Sequence, residues 1–203
     1  MSDNLYTRQE QFKLNTDIVP VVIGCGGVGY YVAKMLAMVG VENIVLFDDD
    51  IIEEHNLSRL DLPLTTIGMN KTEAVKLLVK QMRPDCRIQG FGYKFNPDVL
   101  DTLSVDVTHI IDCTDKHAVQ LDNQAFASNK KLKYCKVGYD FRHITIGNSI
   151  AEWDSGDSQD GYRVIPSYVV TATVVAALAV NKILTGSNEE LSANLEDLYI
   201  GYK

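Results

Sequence analysis

A glycine-rich turn is the first feature of this sequence whose residues could bind a ligand. The run GCGGVG fits the pattern GxGxxG and directly follows an apolar segment, residues 19–23. Its glycines are Gly24, Gly26, Gly27 and Gly29. Backbone N–H groups in such a turn, with the start of the next helix, can hold phosphate oxygens. Because Asp48 lies 19 residues beyond Gly29, where a carboxylate can reach ribose hydroxyls, the two features predict a nucleotide-binding site.

Three polar groups downstream indicate which chemistry the nucleotide would serve. They are NLSR at 56–59, GMNK at 68–71 and DCTD at 112–115. A parallel α/β sheet brings such strand ends to one crevice, which would then hold two cations and two carboxylates around a nucleotide. Phosphate chemistry with Mg²⁺ uses such a set, whereas hydride transfer does not require it. The glycines and Asp48 alone would also suit an NAD(P)-dependent oxidoreductase.

In these motifs the sequence resembles the ThiF/MoeB/HesA-like adenylyltransferases, the bacterial relatives of ubiquitin-activating enzymes. The resemblance covers about residues 6 to 184 and rests on the order and spacing of GCGGVG, LFDDD, NLSR, GMNK and DCTD. It implies that Asp48 binds the ribose of ATP, that Arg59 and Lys71 bind its phosphates and that Asp115 holds Mg²⁺. The other nucleotide-binding positions it implies are Asp50 and Asn56.

The N-terminal segment YTRQ also resembles a part of this family. In the family, an arginine of this segment reaches the ATP of a partner subunit, so the resemblance implies a homodimer with Arg8 among the catalytic residues. The sequence departs from the family pattern at Leu60, Lys116 and Gln120, where glutamine, asparagine and arginine are usual.

The cysteines indicate neither zinc nor a thioester. Cys25, Cys86, Cys113 and Cys135 form no CxxC pair, and residues 136–203 contain no cysteine. Family members that bind structural zinc use two CxxC pairs, and those that form a thioester use a cysteine in the crossover region. We therefore expect reduced, mostly buried thiols, no zinc, and an adenylate that is released or handed on.

Apolar periodicity predicts the elements that position these residues. Strand patterns alternate with helix patterns, which favours an α/β, Rossmann-like, mostly parallel sheet with helices on both faces. Strands are predicted over 19–23, 43–48, 86–95, 108–113, 132–137, 144–151 and 198–200, and helices over 31–40, 71–82, 97–103, 116–128 and 168–184. One ThiF-like domain would span 1–203, with an N-terminal arm (1–17), a crossover loop (152–163) and a C-terminal tail (187–203).

Length and composition restrict the classes of protein that remain. A chain of 203 residues with 46% hydrophobic and 23% charged residues suits one globular domain. The net charge of −8 disfavours nucleic acid and anionic membrane as partners. The polar N-terminus and the interrupted apolar stretches predict a soluble, cytoplasmic protein.

The resemblance implies adenylation of a carboxylate by ATP with release of pyrophosphate. The acyl group would be the C-terminal glycine of a small ubiquitin-like or sulfur-carrier protein. A peptide or small-molecule carboxylate is the near alternative, and an inactive nucleotide-binding partner subunit is another. An NAD(P)-dependent oxidoreductase is the remaining alternative.

Overall fold

The computed structural model describes residues 5–150 and 166–202, and a seven-stranded sheet is its central element. The spatial order of the strands is β3-β2-β1-β4-β5-β6-β7. The first five strands of this order pair in parallel, and β6 and β7 add two antiparallel pairs. The strands are β1 Pro20–Ile23, β2 Asn43–Phe47, β3 Arg87–Phe91, β4 His109–Asp112, β5 Lys133–Asp140, β6 His143–Gly147 and β7 Leu191–Asn194.

Helices cover both faces of the sheet. They are α1 Gly27–Val39, α2 Lys71–Met82, α3 His117–Asn129 and α4 Val169–Thr185. Helices α1, α2 and α4 pack on one face, and α3 packs on the other together with the 3-10 segment Pro97–Thr102. The predicted Rossmann-like sheet is confirmed, and the side chains of β1 are buried on both of its faces.

Local sequence explains where the first two helices begin and end. Helix α1 starts within the glycine-rich turn and ends at Gly40, whose φ of 106° is the left-handed cap that glycine adopts without a Cβ penalty. Helix α2 starts after Asn70, whose side-chain oxygen accepts a hydrogen bond from Thr72 N at 2.9 Å. The start of α1 thus fixes the glycine-rich turn that follows β1, and the start of α2 lies beside the acidic residues that follow β2.

The C-terminal region differs from the sequence prediction. An edge strand was expected at 198–200, but these residues belong to the 3-10 helix Leu195–Tyr202, so that prediction is wrong. The edge strand is Leu191–Asn194, which pairs with β6. The chain turns there because the Asp197 carboxylate accepts a hydrogen bond from Asn194 N at 3.2 Å, which begins the helix.

Three smaller differences concern strand ends. The third strand stops at Phe91 rather than 95, the fifth continues to Asp140 rather than 137, and the sixth stops at Gly147 rather than 151. The predicted crossover loop, 152–163, lies outside the described residues.

Within 5–150 and 166–202, no helix combines the length and hydropathy that a membrane span requires.

Candidate nucleotide-binding site

The crevice lies where β1, β2 and β4 end side by side. Strand β1 pairs with β2 on one side and with β4 on the other, so the chain direction across the sheet reverses at β1. Ligands of open α/β sheets bind at such a reversal, beyond the carboxyl ends of the strands. The turns after β1 and β4 touch, since a Cβ on Gly24 would lie 3.0 Å from the Cys113 carbonyl oxygen.

The four glycines of the turn differ in how strictly the structure requires them. Gly24 has a φ of +85°, which side chains rarely permit. A Cβ on Gly29 would lie 1.8 Å from the Gly24 carbonyl oxygen, so no side chain fits where the helix meets the turn. A Cβ on Gly26 would meet nothing within 4 Å, and one on Gly27 would lie 3.2 Å from Cδ of Arg59. The turn therefore leaves open space at Gly26, beside the first N–H groups of α1.

Asp48 is bound to the glycine turn. One carboxylate oxygen accepts a hydrogen bond from Cys25 N at 2.6 Å, and the other accepts one from Asp50 N at 2.8 Å. Burial raises the pKa of Asp48 above its usual range, while the charge of Lys71 and the two backbone donors oppose that shift. The carboxylate is thus held in a fixed position with lone pairs left for further donors.

Lys71 and the chain after β2 form one unit. Lys71 is only 9% exposed, and its ammonium donates to the Asp50 carboxylate at 2.6 Å. Asn70 Nδ2 donates to the carbonyl oxygens of Asp48 and Asp50, both at 3.0 Å. Asn70 therefore ties the start of α2 to the Asp48 region. The sequence analysis included it in a motif but missed this role, although an Asn directly before a helix is a recognisable signal.

Arg59 lies across the glycine turn, and Asn56 shapes the segment that carries it. Asn56 is buried, its side-chain oxygen accepts a hydrogen bond from Glu53 N at 3.2 Å, and its carbonyl oxygen accepts one from Arg59 N at 3.0 Å. These contacts fold the 3-10 helix Glu54–Ser58. The contacts of Asn56 are thus local, and they position the backbone of Arg59 at the end of this 3-10 helix.

Asp115 lies on the turn after β4, which is held by a buried network. Asp112 is fully buried and accepts hydrogen bonds from Thr114 N (3.0 Å), Thr114 Oγ1 (2.7 Å), Asn123 Nδ2 (2.8 Å) and Tyr134 OH (3.1 Å). Gln120 Nε2 donates to the Thr114 carbonyl oxygen. This positioning role of Asp112 was not predicted from the sequence, although an acidic residue at the end of a buried strand is a signal of one.

The free carboxylate of Asp115 suits a magnesium ion. It is exposed, and no hydrogen bond or ion pair joins it to the rest of residues 5–150 and 166–202. Mg²⁺ is usually held by one or two carboxylates together with substrate phosphates. Oxygens of Asp48, Asp49 and Asp50 also lie within 4.8 Å of one another. Because backbone donors hold Asp48 and Lys71 neutralises Asp50, that group suits a metal less well.

Arg8 is separated from this crevice. The segment around it packs at the C-terminal end of α1, where Gln9 Nε2 donates to the Val39 carbonyl oxygen at 2.6 Å. The glycine turn lies at the opposite end of this 13-residue helix, about 20 Å away at 1.5 Å per residue. The structure thus joins Asp48, Asp50 and Lys71 to one another and Asp48 and Arg59 to the glycine turn. It places Asp115 on the neighbouring turn after β4 and leaves Arg8 apart.

The thiols do not provide a nucleophile at neutral pH. All four cysteines are free, and three are buried. Burial raises the pKa of Cys25 and Cys113 well above the usual range, that of Cys86 to about 11 and that of Cys135 to about 12. Only the thiolate form attacks carbonyl or disulfide groups, so none of them suits acyl transfer.

We predict that the native protein reacts slowly with Ellman's reagent at pH 8. The raised pKa values keep the thiols protonated, so the reaction should be at least ~10-fold slower than after unfolding in guanidinium. Absorbance of the released thionitrobenzoate measures both rates. Rapid reaction of one thiol in the native protein would contradict this and would identify a nucleophile.

Comparisons with known proteins identify the family of this chain. The family model described as "ThiF family" matches residues 4–198. Ubiquitin-like modifier-activating enzyme 5 of Drosophila persimilis is 28% identical over 134 residues, which are 60% of this chain and 35% of that protein. Molybdopterin-synthase adenylyltransferase of Haemophilus influenzae is 31% identical over 119 residues, 57% of this chain and 48% of that protein. The chain spans less than half the length of these relatives.

Solved structures show the same fold. MccB of E. coli, bound to MccA-N7isoASN, has a TM-score of 0.75 with 18% identity, covering 96% of this chain and 72% of that one. The tRNA N6-threonylcarbamoyladenosine dehydratase TcdA of E. coli has a TM-score of 0.70 with 20% identity and 87% coverage of both chains. The family match extends over nearly the whole sequence, and the chain therefore belongs to the ThiF family.

Proposed function

We propose that this chain is an adenylyltransferase that joins a carboxylate to the α-phosphorus of ATP and releases pyrophosphate. The observation that carries the proposal is the meeting of the glycine turn, Asp48, Arg59 and Lys71 in one crevice. These residues offer ribose acceptors and phosphate donors in one place. MccB, similar in fold, has been solved with ATP, which supports ATP as the nucleotide.

Each group has a separate part in binding ATP. Asp48 would accept hydrogen bonds from the ribose hydroxyls, and the N–H groups near Gly26 would hold phosphate oxygens. Arg59, lying across Gly27, and Lys71, beside Asp50, would neutralise phosphate charge. Bound ATP would replace Asp50 as the main partner of the Lys71 ammonium. Asp50 thus acts mainly by orienting Lys71.

The chemical step needs no general base. Near pH 7 the substrate carboxylate is ionised, and one of its oxygens attacks the α-phosphorus. The bond between that phosphorus and the oxygen bridging to the β-phosphorus breaks, and pyrophosphate leaves with the electron pair. The product is an acyl adenylate. Catalysis therefore depends on holding the reactants in line and on stabilising phosphate charge.

Asp115 would hold Mg²⁺, which supplies positive charge to the phosphate oxygens when it is bound. Asp112 and Gln120 act on Asp115 only through the turn that they hold in place. We propose no zinc site, because the cysteines form no paired motif.

The acyl substrate we propose is the C-terminal glycine of a small ubiquitin-like or sulfur-carrier protein. The names of the relatives, a ubiquitin-like modifier-activating enzyme and a molybdopterin-synthase adenylyltransferase, support this. MccB has been solved with MccA, which supports the alternative that the substrate is a peptide or small-molecule carboxylate. With Arg59, Lys71 and Asp115 all present, an inactive partner subunit is disfavoured.

We further propose a homodimer in which Arg8 of one chain completes the ATP site of the other. The position of Arg8, about 20 Å from its own glycine turn, supports action on a neighbouring copy. The net charge of −8 supports partners other than nucleic acid or membrane. The proposed location is the cytoplasm.

We predict that ATP with Mg²⁺ stabilises the protein and that NAD does not. A ligand that binds only the native state at 100 times its Kd contributes about 2.7 kcal/mol, which corresponds to a Tm increase on the order of 5–10 °C at this size. Thermal melts with each nucleotide measure this. Equal shifts from both, or a shift from NAD alone, would favour the oxidoreductase alternative.

A further inference from the structure

Residues 5–12 belong to the N-terminal arm that was predicted over 1–17, and below the word arm means these eight residues. They are attached to the C-terminal end of α1 at two points. The ring of Tyr6 packs on Gly40, where an added Cβ would lie 2.9 Å from Tyr6 Cζ. Gln9 donates to the Val39 carbonyl oxygen at 2.6 Å. Arg8 lies between these two points in sequence, so its backbone is restrained from both sides.

Tyr6 also contacts Arg83. The Arg83 guanidinium carbon lies 5.0 Å from the centre of the Tyr6 ring, a distance typical of a cation–π contact. Arg83 itself is buried, donates to the Ala37 carbonyl oxygen at 2.8 Å and forms a two-point pair with Asp85 at 3.2 and 2.7 Å. The guanidinium is thus held in place, and the ring packs against both Arg83 and Gly40.

The ring of Tyr6 carries this contact. Its hydroxyl is buried and has no hydrogen-bond partner of good geometry among residues 5–150 and 166–202. Burial raises the pKa of this hydroxyl, and the charge of the nearby Arg83 opposes that rise. The arrangement therefore packs an aromatic ring against a glycine and a guanidinium.

Arg8 is exposed, and it lies between Tyr6 and Gln9, the two residues of 5–12 that are partly buried. Within the described part of the chain no hydrogen bond or ion pair involves its side chain. The arm is attached at the C-terminal end of α1, whereas the crevice lies at its N-terminal end. The two attachment points therefore fix the position of the Arg8 backbone away from the crevice of its own chain.

We propose that Tyr6, packed against Gly40 and Arg83, is a positioning residue for Arg8 and thereby for the ATP site of a second copy of this chain. The inference rests on the proposed function, because it requires that Arg8 act in a homodimer. It adds that a residue remote from its own ATP site controls the neighbouring one.

The test mixes inactive chains and asks which pairs restore activity. Tyr6→Ala should lower activity about 10-fold or more, because a displacement of about 1 Å can cost that much. Tyr6→Ala refolded with Asp115→Ala should recover about one quarter of wild-type activity, since half the dimers are mixed and each has one intact site. Tyr6→Ala refolded with Arg8→Ala should recover none, because both arms are then impaired.

Two readouts are used, and the second of them does not depend on the acyl substrate. One is exchange of labelled pyrophosphate into ATP with whichever glycine-ended carrier protein supports it in the wild type. The other is the number of high-affinity sites for labelled ATP per chain. Tyr6→Phe keeps the ring and should restore both readouts. Gln9→Ala removes the second attachment point and should have the same effect as Tyr6→Ala. It replaces Tyr6→Ala in the test if the Tyr6→Ala protein folds poorly.

Opposite pairing would overturn the inference. If Tyr6 supported only the crevice of its own chain, Tyr6→Ala would recover activity with Arg8→Ala and not with Asp115→Ala. Undiminished activity of Tyr6→Ala would overturn it as well. Failure of Arg8→Ala and Asp115→Ala to complement each other would instead remove the proposed homodimer site, so the two failures are distinguishable.

Discussion

Replacing Lys71 or Asp115 by alanine is expected to reduce pyrophosphate exchange by at least ~10²-fold in each case, the loss typical of one preorganised charge-stabilising group. Lys71 is buried beside Asp50, so its charge is already oriented before ATP arrives. Asp115 has a free carboxylate on a turn held by the Asp112 network. Exchange of labelled pyrophosphate into ATP, with a glycine-ended carrier protein that supports it in the wild type, measures both losses.

Matched control variants test whether the loss of exchange is specific to the charges of Lys71 and Asp115 or follows from removing any charge on helices α2 and α3. Lys76 lies on the same helix as Lys71, is more exposed and pairs with Glu73. Asp122 is an exposed carboxylate on α3. Lys76→Ala and Asp122→Ala should keep near wild-type exchange. If the Lys71 and Asp115 variants did so too, the crevice would be the wrong site.

Mixing Arg8→Ala and Asp115→Ala chains is expected to restore activity that neither possesses alone. In an isologous dimer, each site would combine the crevice of one chain with Arg8 of the other. Unfolding the two variants together and refolding them in equal amounts gives about half mixed dimers, each with one intact site. About one quarter of wild-type activity should therefore return.

The control for this experiment is each variant refolded alone, which should stay inactive. Refolded wild type sets the full value and corrects for losses in refolding. If Arg8 acted within its own chain, both sites of a mixed dimer would lack one group. The mixture would then remain as inactive as its components, which would exclude the shared site.

Much of the fold could be predicted because short-range patterns determine it. The apolar run before the glycine turn, the helical spacing after it and Gly40 at the helix end together define β1, α1 and the turn between them. Topology then brings the ends of parallel strands to one edge. The proximity of Asp48 to the glycine turn and of Lys71 to Asp50 follows from that rule.

Contacts between distant elements could not be predicted in this way. Asp112 is held by Asn123 from α3 and Tyr134 from β5, and no local pattern announces such partners. The position of Arg8 depends on Tyr6 packing beneath Arg83, 77 residues further along the chain. The seventh strand was misplaced because its pairing with β6 decided the register, whereas the apolar run at 198–200 did not.

The glycine turn also determines how this protein can vary in sequence. At Gly29 the overlap involves a Cβ and a backbone oxygen, 1.8 Å apart, so no choice of rotamer relieves it and every substitution must separate α1 from the turn. At Gly26 the surrounding space is open, so a protein with a small side chain there could fold. That side chain would occupy the volume proposed for phosphate. Substitutions at Gly29 would thus be selected against because less folded protein is made. Substitutions at Gly26 would be selected against because a chain that is still folded no longer binds the nucleotide.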